Sequence, residues 1–288
     1  MKFLSLLQAM RPRQWVKNVL VGAAPVAAGI TTAAQWTNVF LAFVSMVFAA
    51  SGIYLLNDVL DVGEDRLHPN KISRPVASGA LDIRVAAVSG GVLMCVSVVI
   101  AAVLINLVTA LLVAGYLALM GLYSLSLRKL VGIDISIVAA GFVLRALIGA
   151  SAVSIAVSPV FVIFIGCTAL LIVAGKRLSE MKITRIDPRS VQRPTLQQYT
   201  PTSLWIIIAI ASAGTLLSYL IWMLTTPLSR HIAQLATLPL VVIALVRMIN
   251  VLHHGGGDEP EMLLYRDRII QCCAIGWTVA FLFAEYGS

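Results

Sequence analysis

The stretch NDVLDVGED, residues 57–65, directly follows the long apolar segment 37–56. It places Asp58, Asp61 and Asp65 at positions i, i+3 and i+7, so on a helix their side chains fall within roughly 60° of one another. Three carboxylates on one face repel each other unless a cation lies among them. A hard ion such as Mg²⁺ takes oxygen ligands and commonly joins a carboxylate to a substrate phosphate. The stretch therefore predicts a metal-binding face at the mouth of a membrane helix.

Basic residues follow this acidic stretch at Arg66, Lys71 and Arg74. Arginine binds phosphate through a planar fork of donors, so acidic and basic groups side by side favour a diphosphate site. The alternative is a solvated acidic loop. Against it, the stretch holds four carboxylates within eight residues of a chain in which only 12% of the residues are charged.

The composition is that of a membrane protein. The chain is 59% hydrophobic, with a mean hydropathy of +0.94, which is too apolar for a soluble globular protein. We predict an all-α polytopic fold in a single membrane domain, 1–288, because the longest polar interruption, 176–202, is too short for a soluble domain. Nine apolar segments approach the length of about 20 residues that a spanning helix needs. They lie at 18–35, 37–56, 85–105, 107–124, 134–155, 159–175, 203–226, 231–252 and 269–286.

The charges lie mostly at one side of the predicted membrane. Of 21 Lys and Arg residues, 18 fall in the N-terminal segment or in the loops after segments 2, 4, 6 and 8. Cytoplasmic loops carry the Lys and Arg excess, so we expect a cytoplasmic N-terminus and an active site that faces the cytoplasm across the inner membrane. The net charge of +8 then reflects this topology together with anionic ligands or lipids. It does not indicate nucleic acid, since no soluble basic surface is predicted.

The N-terminal residues 1–15 begin with a short apolar stretch, which we expect to lie as a helix in the membrane interface. Lys17 in the cluster that follows suits either a membrane anchor or a phosphate contact. Gln14 and Asn18, at i and i+4, favour a binding site, because anchoring does not need amides.

Three further groups of polar residues are candidate phosphate contacts. Tyr123, Arg128, Lys129 and Asp134 lie in the loop 124–134 or beside it, although the basic pair alone would be ordinary flanking charge. Lys176, Arg177 and Glu180 open the loop 176–202, where a helical ion-pair ladder is the alternative to a cationic clamp. Arg145 is the one basic residue deep inside a segment, and a charge at that depth usually faces a cavity or a partner.

The loop 253–268 contains Gly255-Gly256-Gly257 and then Tyr265 to Arg268. Together with the loops 57–84, 124–134 and 176–202, it completes the predicted cytoplasmic surface around the active site.

The pattern Asn57-Asp58-x-x-Asp61-x-x-x-Asp65, after the second of nine predicted membrane helices, resembles the first aspartate motif of the UbiA superfamily of intramembrane prenyltransferases. The resemblance covers essentially the whole chain. It implies helices around a central cavity that opens to lipid, with Mg²⁺ and a diphosphate held by the aspartate motif. The second aspartate-rich motif of typical members is missing, because the corresponding loop opens with Lys176-Arg177-x-x-Glu180 and has only Asp187 further on.

In lacking the second aspartate-rich motif, the sequence resembles the decaprenyl-phosphate phosphoribosyltransferase branch of the superfamily. Other stretches are similar to that branch: Arg11 to Asn18, Tyr123 to Arg128 with Arg in place of Lys, Gly141 to Arg145, and Gly255 to Arg268. The resemblance implies that the diphosphate belongs to 5-phosphoribosyl 1-diphosphate and that a polyprenyl phosphate is the acceptor. The product would be a precursor of the arabinose donor for actinobacterial cell-wall arabinan (arabinogalactan).

The resemblance also implies roles for the candidate residues. Asp58, Asp61 and Asp65 would bind Mg²⁺, with Asn57 orienting the ligands or contacting phosphate. The remaining phosphate charges would fall to Lys17, Arg74, Lys176 and Arg177. The other candidate substrate contacts are Asn18, Lys71, Tyr123, Arg128, Lys129, Asp134, Arg145 and Glu180.

Two other functions stay open at this point. An aromatic prenyltransferase of the same fold would use a prenyl diphosphate donor, and the missing second aspartate cluster counts against it. A transporter would place its ionisable residues near the bilayer midplane, whereas here nearly all charges lie at one face. A homo-oligomer is compatible with either enzyme.

Overall fold

The computed structural model describes residues 2–69, 71–186, 194–225, 235–256, 263 and 266–286. The regular structure of these residues is helical, without strands, which confirms the predicted all-α class. The helices are α1 (Lys2–Ala9), α2 (Ala23–Ala27), α3 (Ala33–Leu60), α4 (Val62–Leu67), α5 (Ile83–Leu104), α6 (Leu107–Leu125), α7 (Ile133–Ala152), α8 (Pro159–Ile186), α9 (Pro201–Thr225), α10 (Leu238–His253) and α11 (Arg268–Tyr286). Short 3₁₀ helices cover Pro12–Gly22, Leu127–Lys129 and Pro194–Gln198.

Six helices of the described part of the chain are long and apolar enough to cross a membrane, namely α3, α5, α6, α7, α8 and α9. The apolar helices α10 and α11 are shorter. Eight of the nine predicted segments thus correspond to a helix, and the chain is a multi-pass membrane protein. The number of crossings stays a prediction.

The first predicted segment, 18–35, is not one continuous helix, and on this point the prediction was wrong. Pro12–Gly22 forms a 3₁₀ helix, and the short α2 follows it. Pro25 lies inside α2 and has no N–H group to extend the hydrogen-bond ladder, and Gly29 ends the turn with a φ of 66°. Thr32 then starts α3 with a capping box. Local backbone chemistry at these positions outweighs the apolar composition of the segment.

The chain groups into two compact units, and each is described by itself. The first contains residues 1–137 and 144–156, and the second contains residues 138–143 and 157–288. The expectation of a single membrane domain stays a prediction.

In the first unit, α3 packs closely against α5. A Cβ on Gly52 would lie only 2.9 Å from the carbonyl oxygen of Gly90, so the two backbones approach to a distance that only glycine permits. The buried hydroxyl of Ser45 joins the same two helices by donating to the carbonyl oxygen of Ser97 at 2.8 Å. This contact holds the end of α3, where the acidic stretch begins, on a rigid support.

In the second unit, α8 pairs with α9, and α10 pairs with α11. Lys182 of α8 donates to the carbonyl oxygens of Leu252 and His253 at 3.1 and 2.5 Å, and so caps the C-terminal end of α10. The hydroxyl of Tyr219 accepts a hydrogen bond from the indole Nε1 of Trp277 at 2.9 Å. These polar contacts join α8 to α10 and α9 to α11.

Candidate active site

The acidic stretch forms the junction between α3 and α4 in the first unit. Asp58 lies in the last turn of α3, Asp61 is the residue between the helices, and Asp65 lies on α4. The helical hydrogen bonding continues across the junction, since the amide of Asp65 donates to the carbonyl of Asp61 at 2.8 Å. Asp58 and Asp65 are buried, and the side chain of Asp61 is 16% exposed. Glu64, in the same stretch, is exposed.

Three arginines neutralise these carboxylates, and two of them, Arg11 and Arg128, come from distant parts of the chain. Arg11 lies 2.5 Å from Asp58, and Arg128 lies 2.9 Å from Oδ2 of Asp61. Arg74 contacts two of them, since its Nη1 is 2.6 Å from Asp65 and 3.6 Å from Asp58. Each of the three arginine side chains is about a third exposed or less, so these pairs are shielded more than ordinary surface pairs.

The other residues of the acidic–basic stretch arrange around this core. Lys71 is more exposed and lies 3.8 Å from Asp65, beyond hydrogen-bonding distance. Arg66 donates from Nε to the carbonyl oxygen of Ala77 at 3.2 Å and thereby holds the loop that carries Arg74. The predicted proximity of acidic and basic groups is therefore present in the structure.

Three buried oxygens at this junction accept no hydrogen bond of good geometry. They are Oδ1 of Asn57, Asp61 and Asp65. Oδ1 of Asp61 is still in ion-pair contact with Arg128, whose Nη1 lies 2.8 Å away and donates to Oδ2. Buried acceptors without donors are unfavourable, and an all-oxygen set of this kind suits a hard divalent cation.

The side chains thus fit Mg²⁺ in chemistry but are not grouped around a common point. Within the described residues, no three His, Cys, Asp or Glu side chains are close enough together to hold a metal ion. The carboxylates are turned towards their arginines instead. The metal role of Asp58, Asp61 and Asp65 stays a prediction, which requires these side chains to turn from their arginines.

A second polar group in this unit lies among apolar helices. Arg145 of α7 is only 6% exposed. Its Nε donates to Oδ1 of Asn18 at 2.9 Å, and its Nη2 donates to the hydroxyl of Tyr116 at 2.9 Å. The guanidinium also lies over the Tyr116 ring, 4.9 Å from the centroid. The sequence predicted that Arg145 would need a partner, and the structure supplies two.

The remaining candidates of the first unit take ordinary positions near helix ends. Asp134 is fully buried in the first turn of α7, where the helix dipole favours a carboxylate. Tyr123 is half-buried in the last turns of α6, Lys129 is exposed, and Lys17 is on the 3₁₀ helix Pro12–Gly22. Their contacts with substrate stay predictions.

Two residues of this site were not on the predicted list. Arg11 was considered only as part of the stretch Arg11 to Asn18 and was given no role of its own. Tyr116 lies inside an apolar segment, where no neighbouring polar residue marks it. Only the folded chain brings Tyr116 to Arg145.

The cationic cluster on α8 belongs to the second unit. Arg177 and Glu180 form a buried ion pair, with Nη1 and Oε2 2.9 Å apart, and Lys176 beside them is half-buried. The helical ion pair, which was the alternative to the predicted cationic clamp, is therefore present. The clamp itself, with Glu180 orienting the cations, stays a prediction. Asp187 lies outside the described residues.

The last predicted loop is described only in part, because residues 257–262, 264 and 265 lie outside the described chain. Asp267 accepts hydrogen bonds from the amides of Ile269 and Ile270 at the start of α11, each at 3.1 Å. Arg247 donates to Oδ2 of Asp267 at 2.9 Å, and this hydrogen bond lowers the pKa of the Asp267 carboxyl. This end of the loop is fixed to α10 and α11.

A helical multi-pass membrane fold that carries an acidic stretch among arginines defines the class. The chain belongs to the UbiA prenyltransferase family, whose model matches residues 18–266. Among similar proteins is a decaprenyl-phosphate phosphoribosyltransferase of Corynebacterium glutamicum, 34% identical over 98% of this chain and 86% of that protein. A protein of the same name from Mycolicibacterium smegmatis is 33% identical over 94% of this chain and 89% of its own length.

Solved structures show the same fold at lower identity. A UbiA homolog from Archaeoglobus fulgidus, solved with GPP and Mg²⁺, has a TM-score of 0.75 at 19% identity, with 97% of this chain and 98% of that chain covered. The same homolog with DMAPP and Mg²⁺ has a TM-score of 0.74 at 19% identity, with 99% and 98% covered. At this identity the likeness is evidence for the fold alone.

Proposed function

We propose that the chain transfers the 5-phosphoribosyl group from 5-phosphoribosyl 1-diphosphate to a polyprenyl phosphate, which for the named relatives is decaprenyl phosphate. The observation that carries this proposal is the surplus of cations around the acidic stretch. Arg11, Arg74, Lys71 and Arg128 surround three carboxylates. A donor with a diphosphate and a 5-phosphate, beside a lipid phosphate, needs such a surplus. The names of the relatives, at 33–34% identity over nearly the whole chain, support the same reaction.

The proposed donor site has a metal side and a phosphate side. Asp58, Asp61 and Asp65 would hold Mg²⁺, which when bound would neutralise charge on the leaving diphosphate. The buried acceptor oxygens of Asp61 and Asp65 are the groups whose chemistry suits this ion. Arg11 and Arg74 would then turn from their carboxylates to the phosphate oxygens.

The proposed reaction is a substitution at C1 of the ribosyl group. The bond between C1 and the diphosphate oxygen breaks, and its electron pair leaves with the diphosphate. An oxygen of the lipid phosphate attacks the opposite face of C1, which inverts the configuration. This nucleophile is already an anion, so no side chain has to remove a proton. The protein contributes alignment and electrostatic stabilisation, with the arginines opposing the charge that develops on the leaving group.

The cellular setting follows from the same proposal. The site would face the cytoplasm, where 5-phosphoribosyl 1-diphosphate is a water-soluble donor, and the N-terminus would lie on that side of the inner membrane. The lipid product would feed the arabinan of the cell wall. Lys176 and Arg177 are also proposed as phosphate contacts, and a homo-oligomer is compatible with the proposal.

The acidic stretch itself provides a matched test. Asp58→Asn and Asp61→Asn should each reduce label transfer from 5-phosphoribosyl 1-diphosphate to polyprenyl phosphate by at least 100-fold, with the folded yield unchanged. Glu64→Gln is the control, because Glu64 lies in the same stretch but is exposed. Near-normal transfer by either asparagine variant would show that these carboxylates do not bind an essential metal.

A further inference from the structure

The buried Arg145 has the chemistry of a group that orients another side chain. A guanidinium can only donate hydrogen bonds, and two of its donors are used inside the protein, by Oδ1 of Asn18 and by the hydroxyl of Tyr116. The Tyr116 ring also packs against the guanidinium. Both partners are themselves buried, at 0% and 3% exposure. Arg145 is thus held from two sides.

This contact fixes which way round the Asn18 amide lies. Because Arg145 can only donate, the amide must present its oxygen to the guanidinium, and the Nδ2 group therefore points elsewhere. That Nδ2 group is fully buried and has no hydrogen-bond partner. A buried amide donor without an acceptor is unfavourable, and more so in the apolar interior of a membrane protein.

The backbone around Asn18 is also held in place. One helical turn after Arg145, Gly149 of α7 meets the 3₁₀ helix that carries Asn18. A Cβ on Gly149 would lie 1.7 Å from the carbonyl oxygen of Val21, so the two backbones are in direct contact. The same 3₁₀ helix begins beside Arg11, which pairs with Asp58 of the acidic stretch. The 3₁₀ helix that carries Asn18 is therefore anchored to α7 near one end and to the candidate active site at the other.

We propose that Asn18 donates its Nδ2–H to an oxygen of the phosphoribosyl donor, and that Arg145 and Tyr116 are positioning residues that lock this amide in the donating orientation. The inference rests on the proposed function and deepens it, because it assigns Arg145 to the protein scaffold and not to the substrate. The acceptor on the ligand is a phosphate or ribose oxygen, the groups that such a donor supplies.

The test uses full-length variants in detergent, with Mg²⁺, 5-phosphoribosyl 1-diphosphate and polyprenyl phosphate. Asn18→Asp replaces the free donor by a negatively charged acceptor and gives Arg145 an ion pair. We expect its thermal midpoint without ligand to equal or exceed that of the wild type, while KM for 5-phosphoribosyl 1-diphosphate rises at least tenfold and kcat changes less. A residue with only a structural role would not separate KM from stability in this way.

Two further variants test the lock. Tyr116→Phe removes only the hydroxyl that accepts from Arg145, so KM should rise severalfold with a smaller change in kcat. Arg145→Lys keeps the positive charge but loses the planar fork of donors. The KM of this variant should therefore also rise above the wild-type value. As a control, Arg84→Gln alters an exposed arginine of the same unit and should leave KM unchanged.

The outcomes separate the two proposals. If the wild type transfers label and Asn18→Asp has the wild-type KM, the inference is overturned while the proposed function stands. If Asn18→Asp melts well below the wild type without ligand, the amide is a structural contact and the inference is again overturned. If the wild type transfers no label and shows no binding of 5-phosphoribosyl 1-diphosphate, the proposed function fails and the inference that rests on it is overturned with it.

Discussion

Replacing Arg74 by glutamine should make the protein bind a divalent metal more tightly when no diphosphate is present. Arg74 spans two buried carboxylates, with its Nη1 2.6 Å from Asp65 and 3.6 Å from Asp58. A metal ion that binds these carboxylates must first displace the guanidinium. The arginine therefore competes with the metal for the same oxygens.

The size of the effect follows from the contact that is lost. A hydrogen bond between charged groups contributes about 1.5–3 kcal/mol. Since about 1.4 kcal/mol is a factor of ten in affinity, Arg74→Gln should bind the metal about 10- to 100-fold more tightly than the wild type. With 5-phosphoribosyl 1-diphosphate present the advantage should disappear, because Arg74 then has a phosphate to bind and no longer competes.

The assay is Mn²⁺ binding to the detergent-solubilised protein, followed by electron paramagnetic resonance of the free ion, with and without the diphosphate substrate. Arg84→Gln is the matched control, since it removes an exposed arginine from the same unit. Thermal melting in EDTA adds a second readout. Arg74→Gln should melt below the wild type, because the buried Asp65 loses its nearest cation and the buried Asp58 keeps only Arg11, and Mn²⁺ should restore its midpoint. Mn²⁺ affinity equal to that of the wild type without diphosphate would refute the competition.

Three other predictions concern the fold and the metal. Asp267→Asn should lower the free energy of unfolding by about 1 kcal/mol at pH 7. The hydrogen bond from Arg247 lowers the pKa of Asp267 in the folded protein, so this stabilisation is present above the unfolded pKa of about 3.9 and is lost as the pH falls below it. In thermal melts from pH 7 to pH 3, the midpoints of Asp267→Asn and the wild type should therefore converge. Gly149→Ala should destabilise the protein by about 1–3 kcal/mol or more, because its Cβ would overlap the backbone oxygen of Val21, whereas Gly115→Ala, with open space around it, should melt at or above the wild-type midpoint. EDTA should abolish transfer by the wild type, and added Mg²⁺ should restore it; transfer that persists in EDTA would exclude the metal role of the acidic stretch.

The candidate site divides into a part that the sequence made visible and a part that it did not. Asp58, Asp61, Asp65 and Arg74 lie close together in the chain, so helical spacing was enough to predict their proximity. Arg11 contacts Asp58 across 47 residues, and Arg128 contacts Asp61 across 67. Pairs at such separations depend on tertiary packing, which no local pattern records.

Arg145 illustrates the same limit. A charge inside an apolar segment was a reason to expect a partner. The partners are Asn18, 127 residues away, and Tyr116, whose hydroxyl is hidden within an apolar helix. In the first predicted segment, by contrast, the sequence held the needed information. Pro25 and Gly29 indicated locally that the helix would be interrupted, but the prediction followed the apolar composition instead.

Donor choice by the wild-type protein tests the proposed reaction most directly. The purified protein would be given Mg²⁺ and polyprenyl phosphate with ribosyl-labelled 5-phosphoribosyl 1-diphosphate, and in parallel a labelled prenyl diphosphate with an aromatic acceptor. We expect label from the first donor to enter the organic phase and the second pair to give no product. Prenylation of the aromatic acceptor, without transfer from 5-phosphoribosyl 1-diphosphate, would contradict the proposal and assign the chain to the aromatic prenyltransferases of its family.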